Sequence, residues 1–214
     1  VVVADDPGMH SSQTEQDTRH YARLAKVPIL EPGNAVECRD FMIRAFELSE
    51  AYRCPVILRS TTCVSHSRFL CETKDRQARE RMPFEHNPSQ FVPLPLWGRK
   101  LRVKVEERLD RQSTAAAAAA DLNREFLRAP ALGIISSGVA ALHCLDIFPD
   151  ASVLKLGWAW PFPDDLIRAF AGKVQRLVVI EEGDPILEEH IKALGIACDG
   201  KNVVPRTGEL TPAR

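Results

Sequence analysis

The last third of the chain alternates short apolar runs with stretches of helical pattern. The apolar runs lie at residues 132–135, 153–156 and 177–180, and candidate helices follow them at 139–148, 164–171 and 185–194. Strands and helices that alternate at this spacing form right-handed βαβ units with a parallel sheet. The pattern therefore predicts a doubly wound α/β domain over residues 131–214.

The first 67 residues have the same rhythm and predict a second α/β unit. Strands are expected at 1–3, 27–30 and 54–59, and helices at 13–26 and 34–52. Ser12 with Glu15, and Asn34 with Glu37, have the three-residue spacing of capping boxes. On the second helix, Met42 and other apolar residues recur at steps of three and four, so we expect them in the core.

Residues 68–130 differ in character and predict a connection between the two units. Four prolines, at positions 83, 88, 93 and 95, predict an extended, ordered crossover. Residues 100–128 have a helical composition that includes six alanines at 115–120. They predict one long helix, or a helical pair broken near Ser113.

Composition and charge exclude several classes of function. The chain has 28 basic and 29 acidic residues in 214, a net charge of −1, so we expect neither a nucleic-acid nor an anionic membrane surface. No apolar run of about 18 residues predicts a transmembrane helix, and no signal peptide is recognised at the start. The six cysteines lack metal-ligand spacing and are interpreted as free thiols of a cytoplasmic protein. Because the chain opens in strand-like sequence, we expect more sheet upstream.

Two polar turns follow predicted strands and are candidate sites, because ligands of open α/β sheets bind beyond the carboxyl ends of the strands. The first turn holds a possible proton shuttle, His10, among other polar groups. These are Asp5, Asp6, Ser11, Ser12, Gln13 and Glu15. The second turn contains Ser65 and His66. Both patterns are also typical of ordinary turns, and Ser12 and Glu15 could serve only as caps.

Other features have a structural interpretation beside a functional one. The loop 136–138 precedes a helix and could hold an anion through free backbone amides, although G-x-G-x-x-G is absent. The acidic residues at 181–184 stabilise a helix start without any function. His143 and His190 have no second ligand one turn away, so no metal site is predicted. Trp158 and Trp160 are interpreted as an interdomain or oligomer contact.

The first turn closely resembles a signature of the alpha subunit of indolepyruvate:ferredoxin oxidoreductases, which are thiamine-diphosphate enzymes. The residues that carry the resemblance are 5–7, 10–13, 15–17 and Arg19. Supporting motifs lie at 59–67, 94–95, 133–138 and 208–212. One position departs from the pattern, because Cys63 stands where the family has a basic residue.

The resemblance implies a fragment of a larger oxidoreductase. Residues 1–67 would be the C-terminal half of a pyrimidine-binding domain, 68–130 a linker, and 131–214 a transketolase-C-like domain. The complete enzyme would use thiamine diphosphate with Mg²⁺ and iron–sulfur clusters. It would assemble with a beta subunit as a hetero-oligomer and convert an arylpyruvate, coenzyme A and oxidised ferredoxin into aryl-acetyl-CoA, carbon dioxide and reduced ferredoxin. His10 would be catalytic, and the other polar residues of both turns would face substrate or cofactor. The carboxylates Asp5, Asp6, Glu15 and Asp17 would orient the hydrogen-bond donors rather than touch an anionic substrate, because bare carboxylates repel it.

Two other classes of function stay open at this point. A CoA- or nucleotide-binding α/β module would depend on the loop 136–138, and a non-catalytic interface domain would depend on Trp158 and Trp160. A hydrolase built from Ser11, His10 and Asp6 is disfavoured because no G-x-S-x-G elbow is present.

Overall fold

Two sheets, each with helices packed against it, organise the chain in the computed structural model, which describes residues 2–76, 78 and 83–213. The elements in chain order are α1 (Arg19–Ala25), β1 (Ile29–Leu30), α2 (Ala35–Tyr52), β2 (Ile57–Leu58), α3 (Thr62–His66), α4 (Pro88–Phe91), α5 (Pro95–Ala118), β3 (Asn123–Phe126), β4 (Ala129–Ser137), α6 (Gly138–Ile147), β5 (Ala151–Leu156), β6 (Trp158–Trp160), α7 (Asp164–Ala171), β7 (Arg176–Ile180) and α8 (Ile186–Ala193). The α/β class predicted from the alternating pattern is confirmed.

The C-terminal sheet has the strand order β3-β5-β4-β7. The three strands predicted from the apolar runs, β4, β5 and β7, are parallel. Every residue of β5 is buried, as expected for a central parallel strand with helices on both faces. The helix α6 follows β4 directly, and α8 follows the loop after β7. Both helices therefore begin at the carboxyl edge of this sheet.

Of the two alternatives predicted for residues 100–128, one long helix is confirmed, but its predicted end is wrong. The helix α5 runs unbroken through Ser113, and residues 123–126 instead form the strand β3, antiparallel to β5. Asn123 explains the change: its side chain donates to the Ala116 carbonyl and accepts from the amides of Gly157 and Trp158. These tertiary bonds hold the backbone extended against its helical propensity.

The N-terminal sheet has the strand order β2-β1-β6, so it takes its third strand from the C-terminal half of the chain. The strands β1 and β2 are parallel, whereas β6 pairs antiparallel with β1. Trp158 on β6 is only 1% exposed and packs with Leu30, Phe41 and Leu48. The tryptophan pair was interpreted as an interdomain or oligomer contact, and Trp158 packs against the N-terminal half of the same chain. The domain boundaries at 67 and 130 stay predictions.

The first residues do not form the predicted strand. Val2 and Val3 are 75% and 90% exposed and have no strand partner, and Val1 lies outside the described residues. The first helix begins at Arg19 rather than Gln13, so the Ser12–Glu15 capping box is also wrong. Ser12 Oγ accepts from the Asp6 amide and Glu15 Oε1 from the Gly208 amide, because these side chains hold a folded loop rather than a helix start.

The helix α2 begins as predicted, with Asn34 accepting the Glu37 amide at 2.9 Å. The Glu37 carboxylate accepts from the amide of Gly33 instead of that of Asn34. Met42 was expected in the core but is 45% exposed, because the buried stripe of α2 passes through Phe41, Ala45 and Leu48.

The described residues of the proline-rich crossover lie mostly outside helices and strands, and the crossover ends earlier than expected. Outside α4, residues 67–76, 78 and 83–94 have no helix or strand. Pro95 then begins α5, where its missing N–H costs nothing because the first-turn amides of a helix have no intrahelical acceptor. None of the helices in the described part of the chain is long and apolar enough to cross a membrane.

Candidate functional site

A crevice opens between the carboxyl ends of strands from both sheets. Its walls come from residues that follow β1, β2, β4 and β7 and from the turn around His10. The space between these walls, including the part open to solvent, is about 540 Å³. Its lining consists of His10, Arg19, Glu31, Pro32, Arg59, Thr61, Cys63, Ser137, Gly138, Val139, Ala140, Glu181, Glu182 and Leu210. This is the edge at which an open α/β sheet offers a ligand site.

His10 reaches the crevice from a tight turn with left-handed backbone. Gly8, Met9 and His10 have φ values of 75°, 67° and 42°, a conformation that costs energy for residues other than glycine. The imidazole Nε2 lies 3.2 Å from Glu182 Oε1, and Nδ1 lies 3.4 Å from Cys63 Sγ. The ring is therefore fixed between two groups contributed by distant parts of the chain.

Cys63 contributes a neutral group to the site. Burial raises the pKa of its thiol, and the negative charges of Glu182, Asp6 and Glu209 raise this pKa further. The thiol is therefore protonated near neutral pH and can donate to His10. At this position the chain offers no positive charge to an anion, in contrast to the basic residue expected from the resemblance.

Asp5 and Asp6 connect the loops beside the crevice rather than line it. Asp6 Oδ2 accepts from the Thr62 amide at 2.6 Å, which ties the first polar turn to α3. The Asp5 amide donates to Gln16 Oε1 within the first loop. With Ser12 and Glu15 also accepting backbone amides, four of the predicted site residues hold the loop that carries His10.

Four other predicted site residues lie away from the crevice. Ser11 and Gln13 are exposed on the first loop. Residues 62–66 form the short helix α3, which contributes Cys63 to the crevice but leaves Ser65 and His66 in solvent. The Ser65 hydroxyl instead lies 2.8 Å from Ser60 Oγ. A catalytic or ligand-facing role for these four residues stays a prediction without geometric support.

Arg19 organises the charged floor of the crevice, although its role was not predicted. Its guanidinium donates to Asp17 through Nε and Nη2, and to Glu181 Oε2 through Nη1 at 2.6 Å. Burial opposes ionisation of Asp17, but the hydrogen bond and charge of Arg19 outweigh it and lower the pKa of Asp17. Burial raises the pKa of Glu181 in spite of the same arginine. The floor is therefore a closed ion network around one guanidinium.

Arg59 was also missed as an individual residue, although it opens the second family-like motif. Its Nε donates to Thr18 Oγ1 and its Nη1 to Glu31 Oε1, both at 2.9 Å. Its Nη2 is buried and makes no hydrogen bond among the described residues, but it lies 3.9 Å from Asp17 Oδ1. The Arg59 guanidinium is therefore paired with Glu31 and lies close to the ion network of Arg19.

The loop 136–138 and the acidic run after β7 divide between structural and site roles. Ser136 is buried and its hydroxyl donates to the Ile180 carbonyl, whereas Ser137 and Gly138 line the crevice at the start of α6. Glu181 accepts the amides of Leu187 and Glu188 at the start of α8, as its structural interpretation predicted. Glu182, in contrast, contacts His10.

Comparisons with known proteins are consistent with this architecture. No family model matches the chain. It is 44% identical over 201 residues to the indolepyruvate oxidoreductase subunit IorA of Methanothermobacter marburgensis. This alignment covers 91% of this chain and 32% of that subunit. It is 34% identical over 237 residues to IorA of Thermococcus kodakarensis, covering 100% of this chain and 36% of the relative. The chain thus spans about a third of the length of the curated relatives it matches.

A solved structure has the same fold. A 2-oxoglutarate:ferredoxin oxidoreductase from Magnetococcus marinus superimposes with a TM-score of 0.65 at 13% identity, over 96% of this chain and 42% of that one. At this identity the similarity concerns the fold alone. Over the segment that it spans, the chain is therefore a relative of IorA, a subunit of indolepyruvate oxidoreductases.

Proposed function

We propose that this chain forms part of the active site of an indolepyruvate:ferredoxin oxidoreductase. The reaction would convert an arylpyruvate such as indolepyruvate, with coenzyme A and oxidised ferredoxin, into the aryl-acetyl-CoA, carbon dioxide and reduced ferredoxin. The observation that carries the proposal is the convergence of His10, Arg59 with Cys63, and Ser137 with Gly138 in one crevice. These residues come from three separate motifs through which the chain resembles the family.

The crevice has groups suited to a 2-oxoacid. Arg59 lines the crevice with a positive charge, and the start of α6 at Gly138 adds the positive end of a helix dipole. Both features favour a carboxylate. The neighbouring acidic residues Glu31 and Glu181 are paired with Arg59 and Arg19, which offsets part of the negative charge that an anionic substrate would meet. His10 would then move a proton at the substrate oxygen or carbon.

Thiamine diphosphate is the cofactor that this reaction class requires, because its thiazolium stabilises the carbanion left when carbon dioxide departs. The described residues fit the substrate-facing side of such a site, with His10, Arg59 and the backbone at Ser137 available as hydrogen-bonding groups. Within residues 2–76, 78 and 83–213 no group of three or more His, Cys, Asp or Glu side chains that could hold a metal ion is found. We infer from the resemblance that Mg²⁺, the diphosphate and the iron–sulfur clusters are held by other parts of the complete enzyme.

The partners follow from the same proposal. The relatives are named as subunits, which indicates an assembly of several chains. We infer a hetero-oligomer with a beta subunit, and ferredoxin as the electron acceptor.

We also propose a cytoplasmic location for the enzyme. The six cysteines are all unpaired thiols, as a reducing cytoplasm would keep them.

The proposal is tested by replacing His10 with alanine in the complete enzyme. We expect indolepyruvate-dependent ferredoxin reduction to slow by at least about 100-fold, the lower limit for a lost general acid–base group. His86→Ala is the matched control, because His86 is exposed in the proline-rich crossover, does not line the crevice and should leave the rate unchanged. Unchanged turnover in His10→Ala would refute the central assignment.

A CoA- or nucleotide-binding module makes a different prediction about the loop 136–138. In hydrogen exchange on the complete enzyme, such a module would show protection of this loop by coenzyme A alone, with no protection around His10. The oxidoreductase proposal expects indolepyruvate to protect the His10 turn and the start of α6 together, because both line the same crevice.

A further inference from the structure

Glu182 lies on the loop after β7, yet its carboxylate contacts the imidazole of His10 across 172 positions of the chain. The distance from Glu182 Oε1 to His10 Nε2 is 3.2 Å, and the two side chains are 18% and 12% exposed. Contacts shielded from water to this extent are stronger than those on an open surface. The contact between Glu182 and His10 is therefore largely shielded from water.

Two hydrogen bonds and the space left by a glycine hold Glu182 in this position. The Leu210 amide donates to the same oxygen, Oε1, at 2.7 Å. Arg19 Nη2 donates to the backbone carbonyl of Glu182 at 3.0 Å. Gly8 leaves the space that the carboxylate occupies, because a Cβ at position 8 would lie 2.7 Å from Oε1. The carboxylate is thus fixed by the C-terminal segment, the buried arginine and the His10 turn together.

We propose that Glu182 is a positioning residue that fixes the orientation and tautomer of His10. This inference rests on the proposed function, because it gives His10 its working geometry. A carboxylate only accepts hydrogen bonds, so His10 Nε2 must carry the proton and Nδ1 must be the acceptor in the neutral ring. The acceptor nitrogen is then the one nearer Cys63, whose protonated thiol can donate to it.

The other charged groups around the ring are less able to take this role. Glu209 Oε1 lies 3.8 Å from Nδ1, and its side chain is 46% exposed. Asp6 accepts the Thr62 amide. Glu182 therefore makes the shortest carboxylate contact to His10 among the described residues, and it does so from a constrained position.

A double-mutant cycle in the complete enzyme separates a positioning role from a general structural one. Glu182→Gln keeps the size of the side chain and an acceptor for the Leu210 amide, but removes the carboxylate. We expect kcat to fall at least about tenfold with the KM for indolepyruvate changed less than about twofold, as for partners that orient a working histidine. In a His10→Ala background the same change should alter kcat less than about twofold, because its effect passes through His10. Asp184→Asn on the same loop is the matched control, since Asp184 pairs with the exposed His20.

The ring nitrogens of His10 give a readout that does not depend on turnover. In ¹⁵N-histidine-labelled wild-type enzyme, we expect the Nε2–H tautomer, and Glu182→Gln should mix in the other one. An Nδ1–H tautomer in the wild type would overturn the inference. An equal loss of kcat from Glu182→Gln with and without His10 would also overturn it, while leaving the proposed function intact. Unchanged turnover in His10→Ala would instead refute the proposed function, and the tautomer measurement would still decide the role of Glu182.

Discussion

Lys155 on β5 offers the sharpest test of how the two sheets are held together. Its side chain is 2% exposed, and its Nζ lies 2.7 Å from Oε2 of Glu37 on α2, a side chain that is 11% exposed. Burial lowers the pKa of Lys155, and the charge of Glu37 partly restores it. Lys155→Met keeps most of the packing but leaves the Glu37 carboxylate buried with one remaining donor, the Gly33 amide at 2.7 Å.

The magnitude follows from the asymmetry of buried ion pairs. Removing one partner leaves an uncompensated buried charge and costs about 3–5 kcal/mol, whereas removing both can be nearly neutral. We therefore expect Lys155→Met to destabilise the contact between α2 and β5 by this amount, and Lys155→Met with Glu37→Gln to recover most of it. Lys173→Met is the control, because Lys173 and Glu125 form a more exposed pair worth about 0–1 kcal/mol.

Hydrogen exchange of the β5 amides in the complete enzyme measures the local free energy of opening. A loss of about 3–5 kcal/mol corresponds to exchange about 100- to 4000-fold faster. The reasoning is refuted if Lys155→Met changes exchange less than about threefold. It is also refuted if the double variant is no better protected than the single one, because the buried charge would then not be the cause.

Two further predictions concern the floor and the turn of the crevice. Because the folded-state pKa of Asp17 lies below its ordinary value of 3.8, the stability from its ionised form is present above about pH 3.8 and is lost as pH falls through the folded pKa. Asp17→Asn should therefore destabilise the α1 region near neutral pH and progressively less in acid, as measured by exchange of α1 amides against pH; a pH-independent difference would contradict this. Gly8→Ala should cost at least about 1–2 kcal/mol for its left-handed φ of 75° and should displace Glu182, lowering turnover. Gly98 in the helix α5 is the control, because a Cβ added there would have no atom within 4 Å apart from its chain neighbours and the backbone of its own helix. Gly98→Ala should therefore be neutral or slightly stabilising. Equal thermal shifts in the two variants would refute the strain argument.

Much of the fold was predictable because the apolar parts of its parallel strands are buried. The strands β4, β5 and β7 are apolar runs between helical segments, and such runs have few alternative placements. The strand β3 was not predictable in this way, since Asn123 and its neighbours are polar and are held extended by bonds to Gly157 and Trp158. The exposed Val2 and Val3 show the reverse error: β-branched residues form a strand only where a neighbouring strand accepts their backbone bonds.

The candidate site was predictable as a place but not as a set of residues. Turns that follow parallel strands lie at the carboxyl edges where ligands bind, and this places Cys63 after β2 and Ser137 at the end of β4 at candidate sites. His10 lies in the same crevice, although the strand predicted before its turn does not form. Which side chains face inward depends on local geometry that the pattern does not contain. The helix α3 admits Cys63 to the crevice and leaves His66 in solvent, although the two residues are three apart. The Glu182 contact with His10 depends on a left-handed glycine and a C-terminal amide that come from opposite ends of the chain. A site assembled from strand ends is therefore located by topology, whereas its chemistry is decided by the loops that fold over it.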